Sequence, residues 1–275
     1  MSEAKTSASS DVALAAKNST ALAEFDEFLT DDMADGLDDF SQGDFLVPYL
    51  RILQSLSKEL QKQHPKYIKG AEVGEIINSA TKRTWNGDEG MYVIPLAFSH
   101  RYQAWRPNNG GPADDYGDND AVYKSLTPND KGKRVNADGN EVTDACQYFV
   151  FVVDPETGDY EMGVLSMSGS QAKKSRQWNS LMASRKERRS DGRTITPPTY
   201  YYAYKVTTVP ESNEQGSWYG FSIEDGLKVP DLPNGKDIFL AAKETRERIQ
   251  SGQIKTQAEE VDGEADLTEG EEKAF

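Results

Sequence analysis

Residues 147–167 read Gln-Tyr-Phe-Val-Phe-Val-Val-Asp-Pro-Glu-Thr-Gly-Asp-Tyr-Glu-Met-Gly-Val-Leu-Ser-Met. Gln147 to Val153 is rich in aromatic and β-branched residues, as a strand requires. Asp154-Pro-Glu-Thr-Gly-Asp is turn chemistry, and Tyr160 to Met167 returns as a second strand, so the stretch is a hairpin. Upstream, Met91–Phe98 and Ser99–Arg106 read as one long strand or two consecutive ones. Gly74–Ala80 is a short strand, separated from them by the turn residues Trp85-Asn-Gly-Asp-Glu-Gly. Downstream, Thr199–Val209 and Ser217–Ile223 form a second hairpin across Pro210–Gly216. Leu50, Leu53, Leu56 and Leu60 fall at helical spacing over Tyr49–Leu60, a helix closed by His64-Pro65. Ser170–Arg189 is a helix with Ser168 or Ser170 as N-cap, and Asp237–Gln250 a third, its apolar Ile238, Leu240, Ala241, Ala242 and Ile249 alternating with charges. Pro107–Asp120 and Tyr123–Thr143 read as polar loops, with a tight turn at Asp138-Gly139. These elements predict a β-rich (α+β) domain, most simply a small barrel with helical insertions.

The net charge of −15 is unevenly placed. Residues 1–46 hold eleven acids and two lysines, and residues 259–275 eight acids and one lysine, so the middle of the chain is close to neutral. Inside it, residues 165–205 carry nine Lys or Arg against two acids. Such acidic, apolar-poor ends cannot bury enough surface to fold. The expected organisation is a disordered acidic arm over 1–43, a domain over 44–252 and a disordered acidic tail over 253–275. Ala21–Leu29 could form a short amphipathic helix through Leu22, Phe25 and Leu29. The tail stops on Phe275, whose ring and α-carboxylate suit a basic, apolar-lined pocket on a partner. A single cysteine, Cys146, precludes an internal disulfide and suggests a reducing compartment. Residues 1–30 lack a signal-peptide pattern, and Tyr148–Val153 is too short to span a bilayer. The expected setting is therefore the cytoplasm.

Little in the chain points to catalysis. One Cys and two His, His64 and His100, fall short of a typical structural zinc site, and phosphate-loop and nucleophile-elbow patterns are missing. His100 beside Arg101 reads as a structural strand histidine before a base. Asp114, Asp115, Asp118 and Asp120 miss calcium-loop spacing and read as a solvated loop rather than a metal or nuclease centre. The expectation is no enzyme activity, no cofactor and no metal.

Nucleic acid is better supported. A single strand is held by cations along its backbone and by aromatic faces under its bases, at roughly 1–3 kcal/mol per stacked base. Lys173, Lys174, Arg176, Arg185, Lys186, Arg188, Arg189 and Arg193 form a basic set around Trp178. Thr199-Tyr-Tyr-Tyr-Ala-Tyr-Lys-Val follows it. On a strand Tyr200, Tyr202 and Tyr204 share one face about 7 Å apart, either as a stacking row or as core packing. Arg101, Tyr102, Trp105 and Arg106 form a second candidate group, which could equally be a barrel rim.

The tail Glu259–Phe275 resembles the acidic C-terminal tail, ending in Phe, of bacterial and phage single-stranded DNA-binding proteins. Lys273 interrupts its acidic run, and Ala274 stands where the bacterial members have Pro. Gly43-Asp-Phe-Leu-Val-Pro-Tyr-Leu-Arg-Ile-Leu, Trp105-Arg-Pro and Lys173-Lys-Ser-Arg-Gln-Trp-Asn are similar in character to large phage single-strand binders. The resemblance implies an OB-fold-like barrel that binds single-stranded DNA in phage replication and recombination within the infected bacterial cell. It also implies a tail (Asp266, Glu269, Glu271, Glu272, Phe275) that recruits replication or recombination proteins such as a polymerase or helicase. Whether the chain forms a homo-oligomer stays open. The rival reading is a phage interaction or regulatory protein that binds host enzymes through its acidic termini and does not touch DNA.

Overall fold

Both faces of the central strands are covered, and that is why Gln147–Val153 is apolar without alternation. Every residue from Cys146 to Val153 is buried. The computed structural model of the chain describes residues 47–107, 112–213, 216–254 and 256. The expected arm, the helix at Ala21–Leu29 and the tail residues 257–275 lie outside them.

In chain order the elements are β1 (Tyr49–Ile52), β2 (Ile76–Asn78), β3 (Thr84–Trp85), β4 (Met91–Trp105), β5 (Pro112–Gly117), α1 (Asp120–Ser125), β6 (Thr127–Pro128), β7 (Arg134–Val135) and β8 (Glu141–Val153). They continue with β9 (Tyr160–Met167), α2 (Ala172–Ser184), β10 (Glu187–Arg188), β11 (Thr194–Ile195), β12 (Tyr202–Asn213), β13 (Gly216–Lys228) and α3 (Gly235–Gln250). The main sheet runs β13-β12-β4-β8-β9-β1-β2-β3, with β5 beside β4 and the β6–β7 pair beside β8. Its pairings are antiparallel except β1 with β9, where Tyr49 faces Val164. β10 and β11 form a separate small hairpin.

The hairpin over 147–167 and the single long strand over 91–105 are as the sequence predicts. Other elements differ, each for a physical reason. Tyr49–Ile52 is a strand, not a helix: it pairs with both β2 and β9, and these partners outweigh local helical spacing. Lys58–Leu60 is a single 3-10 turn. The region 123–143 contains the end of α1 together with β6 and β7. α2 stops at Ser184, and the basic segment after it carries the short β10–β11 hairpin, with Arg188 in β10. The second hairpin extends through Pro210 to Asn213; there β12 pairs only with β13, so proline's missing N–H faces away from any ladder. Leu240 of α3 is exposed, while Ile238 and Ala242 are buried.

The sheet curls into a half-barrel with two apolar layers. Inside lie Cys146, Tyr148, Val150 and Val152 of β8, with Met91, Val93, Leu165, Tyr202, Tyr204 and Val206 from neighbouring strands. Trp178 of α2 plugs this concave side. Outside, Phe149, Phe151, Val153, Ile94, Leu96 and Val164 pack under Ile238 and Ala242 of α3. A one-residue bulge in β4 separates the partners Pro95↔Val150 and Ala97↔Phe149. The carbonyl of the extra residue, Leu96, accepts a bond from Arg246 of α3.

Loops join the two ends of the curl. The Gln54 side chain donates to the Tyr219 carbonyl and accepts from the Tyr219 N–H, both at 2.9 Å. Thr208 donates its N–H to the Gly87 carbonyl (2.9 Å) and its hydroxyl to the Gly74 carbonyl (2.6 Å). Gly74 has φ +91°, and a Cβ there would lie 2.7 Å from the Tyr219 ring. Gly70 has φ +89° and open space around it. Gly74→Ala should therefore cost about 1–3 kcal/mol more than Gly70→Ala in urea unfolding, because both strain φ and only one also clashes. Equal losses would show that this closure contributes nothing.

Candidate nucleic-acid interface

The bulge decides which side chains of β4 face the concave side. Before it, Met91 and Val93 point inward; Leu96 and Ala97 then both point outward. From there the alternation is inverted, and Phe98, His100 and Tyr102 point inward, opposite Tyr148, Cys146 and Asp144 of β8. β4 and β8 run on together to Trp105 and Glu141, beyond the part covered by α2. β5, α1, β6 and β7 flank this extension.

These inward residues line a groove of about 680 Å³. Phe98, 41% exposed, meets the edge of His100 at 5.1 Å between ring centres. His100 stacks over Tyr102 at 6.0 Å, and Tyr102 over Tyr123 of α1 at 4.4 Å and 15°. The Arg134 guanidinium lies 5.1 Å from the Tyr123 ring centre and ends the row. In the other direction Phe98 contacts Tyr148 (5.0 Å), Tyr148 contacts Trp178 (4.4 Å), and Trp178 meets Tyr204 edge-on (5.7 Å). One line of aromatic rings thus passes from the open groove to the core beneath α2.

Polar groups hold the row in place. Tyr102 donates its hydroxyl to Asp120 at 3.0 Å, and burial with this carboxylate pushes the phenol well above its ordinary range. Asp120 is held low by its bond with Lys124. Tyr148 donates to Asn179 Oδ1 at 2.9 Å and lies 2.7 Å from Ser175 Oγ; burial pushes its hydroxyl up to about 12. His100 Nδ1 lies 2.7 Å from Asp144 Oδ1. Burial raises the Cys146 thiol beside them, while the positive charge of Arg176 acts in the opposite sense. Arg134 and Lys124 line the groove directly, as do Asp118, Asp120 and Asp144.

A family model described as Pam3 phage gp34-like protein matches residues 16–255. The chain belongs to the Pam3 phage gp34-like family. It is thus a phage protein. No curated protein and no solved structure matches it. No helix among the described residues is long and apolar enough to cross a membrane.

The predicted site residues divide into three groups. Lys173 and Arg176 are exposed on α2, and Lys186, Arg188, Arg189 and Arg193 belong to the exposed β10–β11 segment. Within that segment Lys186 donates to Thr196 Oγ1, and Arg193 pairs with Asp191. A second group is structural. Lys174 donates to the Phe221 carbonyl and pairs with Glu211. Arg185 pairs with Asp225 and lies 4.5 Å from the Tyr202 ring centre and 5.7 Å from that of Tyr204. Arg101 is on the convex side, bound to Asp115 and to the carbonyl and hydroxyl of Thr256. Trp105 and Arg106 lie at the far end of β4, half-buried and exposed respectively.

The third group corrects an expectation. Tyr200, Tyr202 and Tyr204 do not form an open row. Tyr200 sits in a 3-10 turn against Phe239, and Tyr202 and Tyr204 point into the inner core. Trp178 is 1% exposed, and Tyr102 is the buried floor of the groove. The tail residues Asp266, Glu269, Glu271, Glu272 and Phe275 lie outside the described residues. Phe98, Tyr123 and Arg134 escape sequence reading; Pro95 in mid-strand was the available signal, since proline within a long strand often marks a bulge.

Trp178→Ala should destabilise the protein by about 3–5 kcal/mol in chemical denaturation, the range for removing a buried large aromatic. Weaker binding to single-stranded DNA with stability unchanged would instead place Trp178 at the interface.

Proposed function

We propose that this phage protein binds single-stranded DNA along the concave extension of β4 and β8, without catalysis, in phage replication or recombination. The observation that carries the reading is the row Phe98–His100–Tyr102–Tyr123, open at Phe98 and closed by Arg134. A base can stack against Phe98 and the exposed edge of His100, while Arg176 and Lys173 on α2 and Lys124 and Arg134 across the groove meet phosphates. Asp118, Asp120 and Asp144 would accept bonds from exocyclic amino groups of bases. The curled sheet with a helix plugging its concave side supports reading the domain as OB-like. The exposed basic β10–β11 segment extends the path of the backbone. The acidic tail ending in Phe275 is the handle for a polymerase, helicase or recombination partner.

Those same aspartates favour a second reading, an interaction protein whose groove takes a basic protein segment and not DNA. A fluorescence anisotropy titration with labelled oligo-dT separates the two. Binding should weaken as salt rises, with a log–log slope of roughly −0.7 per phosphate neutralised. Phe98→Ala should cost about 1–3 kcal/mol of affinity, as for loss of one stacked base, and leave the fold intact because the ring lies at the groove surface, 41% exposed, and not in the core. An unchanged affinity in Phe98→Ala would remove the groove from the interface. No binding at low salt would favour the second reading.

A further inference from the structure

We propose that His100, Asp144 and Cys146 form a three-ligand site for a divalent zinc-like cation, with its fourth position open to the groove. The site follows from strand register. His100 and Cys146 are direct cross-strand partners on β4 and β8. Asp144 lies two residues before Cys146 and so shares its face. The three side chains converge: one imidazole nitrogen, one carboxylate oxygen and the thiol sulfur all lie within 4.8 Å of one another. His100 Nδ1 and Asp144 Oδ1 are 2.7 Å apart.

The donor chemistry selects the ion. Imidazole, carboxylate and thiolate together suit zinc; an all-oxygen ion such as magnesium or calcium would leave the sulfur unused. Bonds of about 2.0–2.3 Å place the ligand atoms of a tetrahedral zinc roughly 3.3–3.8 Å apart. The His100–Asp144 contact would open slightly and the sulfur would draw in slightly, both within reach of side-chain rotation. Cys146 loses its thiol proton to water as the ion binds. The buried Cys146 forms the base of the site, while the half-exposed His100 and Asp144 leave an entry path and room for a water as fourth ligand. With three protein ligands and not four, this is an open site and not the structural kind. The site goes beyond the DNA-binding reading and does not depend on it.

The test is a titration of the metal-free full chain with Co²⁺, followed by displacement with Zn²⁺, in the absence of nucleic acid. Cys146 is the only cysteine, so a thiolate-to-cobalt charge-transfer band has a single source. One Co²⁺ per chain with that band is expected, and Zn²⁺ should abolish it. His100→Ala and Asp144→Asn should each weaken Zn²⁺ binding by at least roughly tenfold, the lower end of what even an outer partner of a ligand contributes. Both side chains are partly exposed, so these variants keep the fold and decide the matter even if Cys146→Ser does not fold. A wild-type chain without the band, or a band and affinity unchanged in both variants, overturns the proposal.

Discussion

One extra residue in β4 sets the arrangement of the whole concave surface. With a strict alternation through Met91–Trp105, the side chains facing inward beyond the core would be Ala97, Ser99 and Arg101. The bulge at Leu96 inverts the pattern and turns Phe98, His100 and Tyr102 inward instead. It does so without leaving a stranded carbonyl, because Arg246 of α3 takes the bond that the ladder loses. The helix on the convex side thereby stabilises the geometry of the groove on the concave side. The same inversion sends Arg101 outward, where it ties Asp115 and Thr256 to the convex face.

Much of the fold was legible in the sequence because its signals are local. The 147–167 hairpin declares itself by composition and turn chemistry, and α3 by its apolar spacing. Tyr49–Ile52 was not legible: leucines at helical spacing outweighed a four-residue strand whose partners are far along the chain, one of them in parallel. The site was legible only in part. Alternation is the rule for assigning strand faces, and a bulge breaks that rule at a point that only Pro95 marks. The tyrosines at 200–204 illustrate the converse. Their spacing suits a stacking row, but Tyr200 turns against Phe239, while Arg185 lies over the Tyr202 and Tyr204 rings and Trp178 packs edge-on against Tyr204 in the inner core.

The basic stripe also divides once partners are known. Lys174 and Arg185 are held by Glu211 and Asp225 and fasten α2 to β12 and β13. Lys173, Arg176 and the β10–β11 residues remain exposed for a ligand. Sequence charge counts these residues alike; structure separates cations that brace the half-barrel from cations that can meet phosphate. The groove itself carries both signs of charge, Lys124 and Arg134 against Asp118, Asp120 and Asp144, so the proposed DNA binding would rest on aromatic contact rather than on net charge.

The most direct measurement is photocrosslinking of the full chain to an oligonucleotide carrying 5-iodouracil, with the adducts mapped by mass spectrometry. Adducts are expected at Phe98, His100 and Tyr123. Adducts confined to Tyr200, Tyr201 or the β10–β11 segment, with none at the groove, would contradict the assignment of the concave row as the DNA-binding surface.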